Sequence, residues 1–352
     1  MDFPVRIAAD PALSIQGMTF LRNRLPPKDQ VARGLYVSPL FAGPDAPRSA
    51  GIPSQSLDGP RDWQGRDRPI PSMMLGFSGP NGNTRDEIMT CLHRGLQAEG
   101  SRPDGTVYFV TNSDVRSRCR EWEFSPVVRE LQEQGVGAVI TNVLPDDATA
   151  ILGVMMGSAD VGMSPRRVLL PGAMAEHLTS FGAVFDASSQ TKITEWIRAG
   201  ATASAGTVTE PLSAWSKFPH ARFFSHLAAG CTTLESFYQS LRCPLQILLI
   251  GDPLAAPWAP ASRLSLQGLE AGPLLGQASV KAIVKVRRGE LFNRFAFLLD
   301  GRLLQPAGRE PDITLEPTGM TPGAHTLRSV AYEVGSVRGQ IFAEQTFTVN
   351  AQ

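Results

Sequence analysis

The sequence is short of cysteine, carries no excess of either charge, and contains no long apolar run. Lys plus Arg and Asp plus Glu each number 33 among 352 residues, so nothing favours nucleic acid or a membrane surface as partner. No stretch approaches the roughly 20 apolar residues that a membrane-spanning helix needs. The N-terminus lacks a basic start followed by an apolar run, so no signal peptide is expected. Either the protein stays inside the cell or the chain begins downstream of its natural start.

The cysteines are widely spaced and form no CxxC pair, which does not favour a metal site. Each is interpreted as a small buried hydrophobe. The chain also lacks a P-loop, a GxGxxG after a strand, HExxH and GxSxG. These absences argue against nucleotide binding, zinc peptidase activity and the common serine-hydrolase elbow. We therefore expect no cofactor and no metal. The four cysteines are Cys91, Cys119, Cys231 and Cys243.

The patterns along the chain predict three segments. Residues 1–75 form an N-terminal segment, in which the Pro-, Gly- and Arg-rich part from Asp10 to Pro71 is expected to be a long irregular loop. Residues 76–260 alternate helical patterns with continuously apolar strands, which predicts an α/β domain with a mainly parallel sheet and helices on both faces. Residues 263–352 consist of short period-two segments, and Asp300-Gly301 is a strong hairpin signal. This last segment is predicted to be an immunoglobulin-like β-sandwich.

Two helices of the α/β domain carry clear start signals. Capping boxes are predicted at Thr84 with Glu87 and at Thr232 with Glu235. In the first helix, Ile88, Leu92 and Leu96 are expected to line the buried face. The predicted strands are GTVYFVTN, GVGAVITNV, AILGVMMG, VLLPGAM, ATASAGTV and LQILLIGDP.

Ligands on such sheets lie beyond the carboxyl ends of the strands, and this rule selects the residues to examine. His177 follows the strand VLLPGAM and is interpreted as a general acid or base, with Glu176, Thr179 and Ser180 as neighbours. The structural alternative is a histidine that hydrogen-bonds a loop. Asp160 ends the preceding strand and is a candidate to orient His177 or, alternatively, to cap a turn.

Other residues at this edge are secondary candidates. Gly157 and Ser158 precede Asp160, and Ser158 is a conceivable nucleophile that no spacing marks. Ser204, Thr207 and Glu210 belong to a segment of small and hydroxyl residues that either lines a cleft or packs tightly under a helix. Gly251 to Pro253 close the last strand and are expected at the same edge. His93 and His220 are expected on helix or loop surfaces and are given no chemistry.

Several long motifs resemble an uncharacterised, exosortase-associated bacterial family. They are AEHLTSFG, AGATASAGTVTEP, TLESFYQSL and LLIGDPLAAPW, together with GMTFLRN and LYVSPLFAGP near the start. That family is in turn distantly similar to gingipain-type cysteine peptidases of the caspase-like fold. The resemblance implies a caspase-like sheet, an immunoglobulin-like domain after it, and a secreted or cell-envelope location. Members usually carry a signal peptide and more N-terminal sequence, which implies that this chain is a truncated form.

The chain departs from the peptidase pattern at the two strands that should carry the reactive groups. Gingipain-like peptidases use His-Gly at one strand end and Cys at the next, whereas GVMMGSAD offers Asp160 and VLLPGAMAEH offers His177. No cysteine lies between Cys119 and Cys231, so the acyl transfer of that clan lacks its nucleophile. We therefore expect a non-catalytic binding or scaffolding protein with a protein or peptide partner. The alternative is a peptidase-like hydrolase that uses His177, Asp160 and a hydroxyl such as Ser180 or Ser204.

Overall fold

The structure is a computed structural model that describes residues 5–8, 10–21, 26–42, 70–287, 289–334 and 339–350. The chain divides into two compact units, Met1–Trp258 and Ala259–Gln352. The central part of the irregular loop predicted between Asp10 and Pro71, residues 43–69, lies outside the described residues. None of the helices in the described ranges is long and apolar enough to cross a bilayer.

The N-terminal segment is part of the first unit and contributes elements of its own. Strands β1 (Arg6–Ile7) and β2 (Leu13–Ser14) form a two-stranded antiparallel ribbon, and α1 covers Lys28–Ala32. The main sheet has six strands in the order β4-β3-β5-β6-β7-β8. Their bounds are β3 Thr106–Val110, β4 Gly137–Thr141, β5 Ile151–Gly157, β6 Leu169–Leu178, β7 Ala203–Thr207 and β8 Ile247–Gly251.

The sheet is mixed, because β8 alone runs antiparallel to its neighbour while the other pairs are parallel. The outer edge of β8 is covered by the N-terminal segment. The Gln16 side chain donates from Nε2 to the Leu249 carbonyl and accepts from the Leu249 amide through Oε1, both at 2.8 Å. Met74 forms a parallel bridge with Ile250. Gln16 and Met74 thus satisfy backbone groups that an edge strand would otherwise expose.

Helices cover both faces of the sheet, as the sequence predicts. They are α2 Arg85–Ala98, α3 Val115–Arg118, α4 Phe124–Glu133, α5 Ile193–Arg198, α6 Phe223–Ala228 and α7 Thr233–Ser240. Helices α4, α6 and α7 bury residues such as Val127, Phe224 and Phe237 against one face of the sheet. Helices α2 and α5 bury Cys91 and Trp196 on the other face.

Both predicted capping boxes are confirmed, at Thr84 with Glu87 and at Thr232 with Glu235. The predicted buried face of α2 is partly wrong, because Leu96 is 69% exposed. The buried positions are Cys91, Gly95 and Ala98. A Cβ atom at Gly95 would lie 1.9 Å from the Asp252 carboxylate, so α2 approaches the chain after β8 more closely than a larger side chain allows.

The second unit consists of two antiparallel sheets. Their strands are β9 Arg263–Gln267, β10 Ala278–Lys285, β11 Phe292–Leu299, β12 Arg302–Gly308, β13 Asp312–Leu315, β14 Gly323–Glu333 and β15 Gln340–Val349. The order is β13-β10-β9 in one sheet and β12-β11-β14-β15 in the other. Val280 and Phe297, one from each sheet, belong to one shared core. The predicted hairpin is confirmed between β11 and β12, where Asp300 and Gly301 both have positive φ.

Candidate functional site

The carboxyl ends of β3, β5, β6 and β7 meet along one edge of the sheet, because these strands are parallel neighbours. The chain order reverses at β3, since β4 lies on one side of it and β5 on the other. Open α/β sheets bind ligands beyond the carboxyl ends at such a reversal. The expectation that Gly251 to Pro253 share this edge is wrong, because β8 is antiparallel and ends at the opposite edge.

His177 lies inside strand β6 and not after it, since β6 continues to Leu178. Its side chain is fully buried. The Trp196 indole Nε1 donates to Nδ1 at 3.0 Å, and Nε2 lies 3.0 Å from the Thr191 carbonyl oxygen. An indole can only donate, so Nδ1 accepts and the ring proton sits on Nε2, which donates to Thr191. Burial lowers the pKa of His177 to about 4, so the ring is neutral at pH 7 with both nitrogens engaged.

Asp160 is exposed in the loop after β5, and it does not orient His177, whose nitrogens are bonded to Trp196 and Thr191. The Ser158 hydroxyl donates to the Asp160 backbone carbonyl at 2.6 Å. The carboxylates of Asp160 and Asp186 instead act on the Lys192 ammonium, opposing the fall in its pKa that burial causes.

The loop after β5 is tied to the same residue that accepts from His177. Thr191 Oγ1 accepts from the Val161 amide at 2.9 Å, and the Thr191 amide donates to the Ala159 carbonyl at 3.1 Å. Gly157 precedes this loop, and a Cβ there would lie 2.1 Å from the backbone of Arg116. His177 therefore acts as a structural hydrogen-bonding residue that holds Thr191 and, through it, this loop.

The candidate hydroxyls serve backbone and side-chain contacts. Thr179 donates to Gln190 Oε1 at 2.7 Å, and Thr207 donates to the carbonyl oxygens of Thr179 and Ser180 at 2.9 and 3.1 Å. Ser204 is fully buried, and its hydroxyl has no hydrogen-bond partner among the described residues. It sits on a strand whose Gly206 packs under α5, where an added Cβ would lie 2.5 Å from Ile193. This agrees with the tight-packing alternative for β7.

The remaining candidates also stand apart from His177. Glu210 is exposed and accepts from the Leu212 amide at 2.9 Å. Ser180 is buried. Neither Ser180 nor Ser204 bonds His177, because Trp196 and Thr191 occupy both ring nitrogens. The geometry therefore does not support a hydrolase built from His177, Asp160 and a hydroxyl.

Glu176 points to the opposite face of the sheet from His177, because successive side chains of a strand alternate. It forms an ion pair with Arg120, and both side chains are fully buried. The other arm of the Arg120 guanidinium donates to the carbonyl of Met156, near the end of β5. Burial raises the pKa of Glu176 to about 7, although Arg120 opposes the rise.

A second buried carboxyl group lies close to this pair. Glu123 is 1% exposed and accepts from the Ala221 amide at 2.9 Å. Its Oε2 lies 3.9 Å from Nε2 of His220, too far for a hydrogen bond. Burial raises the pKa of Glu123 to about 8, with Glu176 adding to the rise and Arg120 opposing it. Burial lowers the pKa of His220 to about 3, so this ring is neutral.

We call Arg120, Glu123, Glu176 and His220 the buried carboxylate cluster. It holds two carboxyl groups but one permanent positive charge. Among the described residues, Glu123 Oε1, Glu176 Oε2 and His220 Nε2 have no hydrogen-bond partner. Unpaired buried polar atoms are costly, and strongly shifted pKa values tend to gather at functional sites. The cluster is therefore the most unusual electrostatic feature of the carboxyl edge.

Two tryptophans cover the cluster. The Trp122 ring contacts the rings of Trp215 and His220 at centroid distances of 5.3 and 5.5 Å, both edge to face. Trp122 is 50% exposed and Trp215 is half-buried. Tryptophans at a surface offer large apolar contact area with a polar N–H, which is why they are enriched in binding sites.

Each described cysteine is a thiol and not a thiolate. Burial raises the pKa to about 12 for Cys91 and Cys231 and to about 11 for Cys119, and it raises the pKa of Cys243. Cys119 alone adjoins the cluster, and its Sγ donates to the Arg116 carbonyl at 3.5 Å. Burial is the main cause of the rise in the Cys119 pKa; Arg120 opposes the rise, and the carboxyl groups of Glu123 and Glu176 add to it.

Sequence reasoning considered Glu176 but missed its partners. The rule that ligands bind beyond the carboxyl ends of the strands applies equally to β3, whose following segment carries Arg120, Trp122 and Glu123 in the string CREWE. This rule therefore identifies the three residues from the sequence. The expectation that His220 lies on a surface is wrong, because it is 3% exposed.

No family model matches the chain, and no curated protein matches it. Solved structures resemble parts of it. The fibronectin(III)-like modules of CbhA from Clostridium thermocellum match 25% of this chain and 96% of their own at 17% identity, with a TM-score of 0.21. OgpA from Akkermansia muciniphila, solved as a catalytically inactive form with an O-glycopeptide, matches 71% of this chain and 94% of its own at 7% identity and a TM-score of 0.22. At these TM-scores neither likeness carries an activity over to this chain.

Proposed function

We propose that the first unit is a caspase-like domain that binds a protein or peptide segment without cysteine-peptidase chemistry. The observation that carries the proposal is the end of β6, where the resemblance requires a cysteine. The chain has Leu178 and Thr179 there, and His177 just before them is neutral with both nitrogens bonded. Without a thiolate or a free imidazole at this point, histidine-assisted acyl transfer has neither nucleophile nor base.

The sheet topology supports the caspase-like part of the proposal. Five parallel strands in the order β4-β3-β5-β6-β7 with helices on both faces suit the mainly parallel sheet that the resemblance to gingipain-type peptidases implies, whereas the antiparallel β8 is not part of that expectation. The second unit, with two antiparallel sheets around one core, suits the immunoglobulin-like domain that follows in those peptidases. A location in the bacterial envelope is a further part of the proposal and rests on the resemblance alone.

The surface formed by Trp122 and Trp215 supports the binding part. It lies at the carboxyl edge near the reversal of chain order, where open α/β sheets bind ligands. The buried carboxyl groups of Glu123 and Glu176 lie beneath it. An extended peptide packs apolar side chains on the two indole rings, while the Trp122 N–H stays bonded to the Cys119 carbonyl at 3.2 Å.

Chemical probes test the absence of catalysis. We expect the folded protein to show no stoichiometric labelling by fluorophosphonates or by peptidyl cysteine-directed electrophiles. Unfolded protein, in which all four thiols are accessible, serves as the positive control for labelling by the cysteine-directed electrophiles. Stoichiometric labelling of one residue in the folded protein that His177→Ala abolishes would overturn this half of the proposal.

Selection from a library of extended peptides tests the binding half. We expect enriched peptides whose affinity falls roughly tenfold or more in Trp122→Ala, since removing an interface tryptophan typically costs about 2 kcal/mol. Leu96→Ala is the matched control, because Leu96 is also large and exposed but lies on α2. Failure to enrich any peptide, or equal affinity in both variants, would contradict a binding surface at Trp122.

A further inference from the structure

Segment Val115–Phe124 crosses the carboxyl ends of β5 and β6 and is fastened there by one arginine. Arg120 bonds the Met156 carbonyl on β5 and the Glu176 carboxyl on β6. Before Phe124, where α4 begins, the segment contains only the four-residue α3 and a three-residue 3-10 turn. Helices this short are not stable alone, so the position of the segment depends on its contacts with the sheet.

Glu123 supplies the second attachment, to the loop after β7. Its carboxyl group accepts from the Ala221 amide at 2.9 Å. Trp122, next to Glu123, contacts Trp215 in the same loop. The segment therefore bridges β5 and β6 on one side and the loop after β7 on the other.

The charges at these attachments do not balance. Glu123 and Glu176 together carry two carboxyl groups, and among the described residues Arg120 forms an ion pair with Glu176 and acts on Glu123 through its charge alone. When both carboxyl groups are ionised, a buried negative charge lacks a counter-charge, which is costly in a low-dielectric interior. The titratable or charged groups outside the cluster that act on its members are Cys119 from the segment, Arg222 from the loop after β7, and His226 from α6.

We propose that segment Val115–Phe124 is a proton-dependent latch, closed while the buried carboxylate cluster holds a proton and released when both carboxyl groups are ionised. Release separates Glu123 and Arg120, which move with the segment, from Glu176, which stays on β6, and it lets each carboxylate reach water. The latch rests on the proposed function, since it regulates access to the Trp122 and Trp215 surface.

The pKa shifts of the buried groups determine whether the latch closes at lower or at higher pH. The pKa values of Glu123 and Glu176 are raised to about 8 and about 7. A raised carboxyl pKa means that the closed state binds the proton more tightly than the open state, so closure is favoured at lower pH and weakens as pH rises through these values. His220 and His226, whose pKa values burial lowers to about 3, stay neutral over this range and do not oppose it.

Hydrogen exchange of the full chain, followed by mass spectrometry at pH 6.5 and 8.5 and corrected for intrinsic exchange rates, tests the latch. We expect protection of the amides in residues 115–123 to fall roughly fivefold or more, because release is linked to loss of one proton. Protection of β3, which lies in the core, should stay constant. In Glu123→Gln, which mimics the protonated carboxyl group, the segment should keep its protection at pH 8.5.

Glu133→Gln is the matched control, since Glu133 is exposed at the end of α4, and it should behave as the unchanged protein does. Constant protection of the segment from pH 6.5 to 8.5, or an equal fall in β3, would overturn the latch. If Glu123→Gln does not fold, the latch is still tested by comparing the change in amide protection of the segment with that of β3 in the unchanged protein. The experiment uses no peptide, so a rigid segment would refute the latch and leave the proposed binding function to its own test.

Discussion

The Trp196 indole donates a hydrogen bond to Nδ1 of His177 at 3.0 Å across the buried face between α5 and β6. This bond makes Nδ1 an acceptor and leaves the ring proton on Nε2, which donates to Thr191. A histidine near the carboxyl edge of a parallel sheet would otherwise be interpreted as a candidate catalytic base. Here the tryptophan turns it into a neutral structural residue that holds the loop after β5 in place.

His177→Ala should therefore reduce the stability of the first unit. The change leaves the Trp196 N–H and the Thr191 carbonyl buried without partners, and it opens a cavity. We expect the free energy of unfolding to fall by about 2–4 kcal/mol, measured by chemical denaturation. His93→Ala on the exposed side of α2 should change it by less than about 0.5 kcal/mol. Equal effects of the two substitutions would contradict the structural role.

The stability of the first unit should decrease between pH 6.5 and 8. Glu123 has its pKa raised to about 8 and Glu176 to about 7, so the folded state binds protons that the unfolded state has already released. A raised carboxyl pKa contributes stability that is present below the unfolded value and is lost as pH rises through the folded value. The slope for one proton is at most about 1.4 kcal/mol per pH unit.

Below pH 6.5 the histidines act in the opposite direction. Burial lowers the pKa of His177 to about 4 and those of His220 and His226 to about 3, so the unfolded state gains protons first as pH falls. Thermal melts from pH 5 to 8.5 should show the decrease above pH 6.5, and Glu123→Gln should reduce it. A melting temperature of the unchanged protein that rises between pH 6.5 and 8 would contradict the buried cluster.

Gly157→Ala should destabilise the first unit. Alanine restricts the unfolded chain more than glycine does, which by itself favours folding, but a clash in the folded state outweighs this gain. The added Cβ would lie 2.1 Å from the carbonyl carbon of Arg116, and backbone cannot move aside as a flexible side chain can. We expect a loss of about 1–3 kcal/mol, as overpacking usually causes. Gly162→Ala in the following loop is the control, since a Cβ there meets nothing within 4 Å. Chemical denaturation of both variants decides, and equal stabilities would contradict the close contact of α3 with β5.

Several of these elements could be predicted from the sequence because their signals are local. The capping boxes at Thr84 and Thr232 lie within four residues of chain, and the positive φ angles of Asp300 and Gly301 follow from the turn type that links two adjacent strands. The continuous apolar runs of β3 and β5 reflect burial on both faces, which the chain pattern itself encodes.

The candidate site depends on contacts that no local pattern encodes. Glu176 is ion-paired with Arg120, which is 56 residues away in the chain, and His177 is bonded by Trp196, 19 residues away. Because these partners bond the side chains of Glu176 and His177, both polar residues can lie inside a buried strand. Strand β6 therefore extends beyond the apolar string VLLPGAM. The composition of β8 also does not indicate whether the strand is parallel or antiparallel to its neighbour, since a buried strand has the same apolar pattern in either orientation.

In the second unit, the Asp300 carboxylate should raise the pKa of His325. Nδ1 of His325 lies 2.7 Å from Asp300 Oδ2, and Nε2 lies 2.7 Å from the Thr321 carbonyl oxygen. The Thr321 carbonyl and Asp300 raise the pKa of His325 above its ordinary value, so the pair stabilises the fold below pH 6.5 and this stability is lost as pH rises through the raised value.

Histidine proton resonances of the full chain, followed against pH and assigned with His325→Gln, measure this pKa. Asp300→Asn keeps a residue that tolerates positive φ but removes the charge, so it should lower the His325 pKa and leave the hairpin intact. An unchanged His325 pKa in Asp300→Asn would contradict the pairing.

The most direct test of the central claim is nitrogen NMR of His177 in the full chain, assigned with His177→Gln and followed from pH 8 to pH 4.5. The structure predicts a neutral ring with the proton on Nε2 throughout, because Trp196 donates to Nδ1 and burial lowers the His177 pKa to about 4. A ring that takes up its second proton between pH 6 and 7, or one that carries its proton on Nδ1, would contradict a structural histidine and restore a catalytic one.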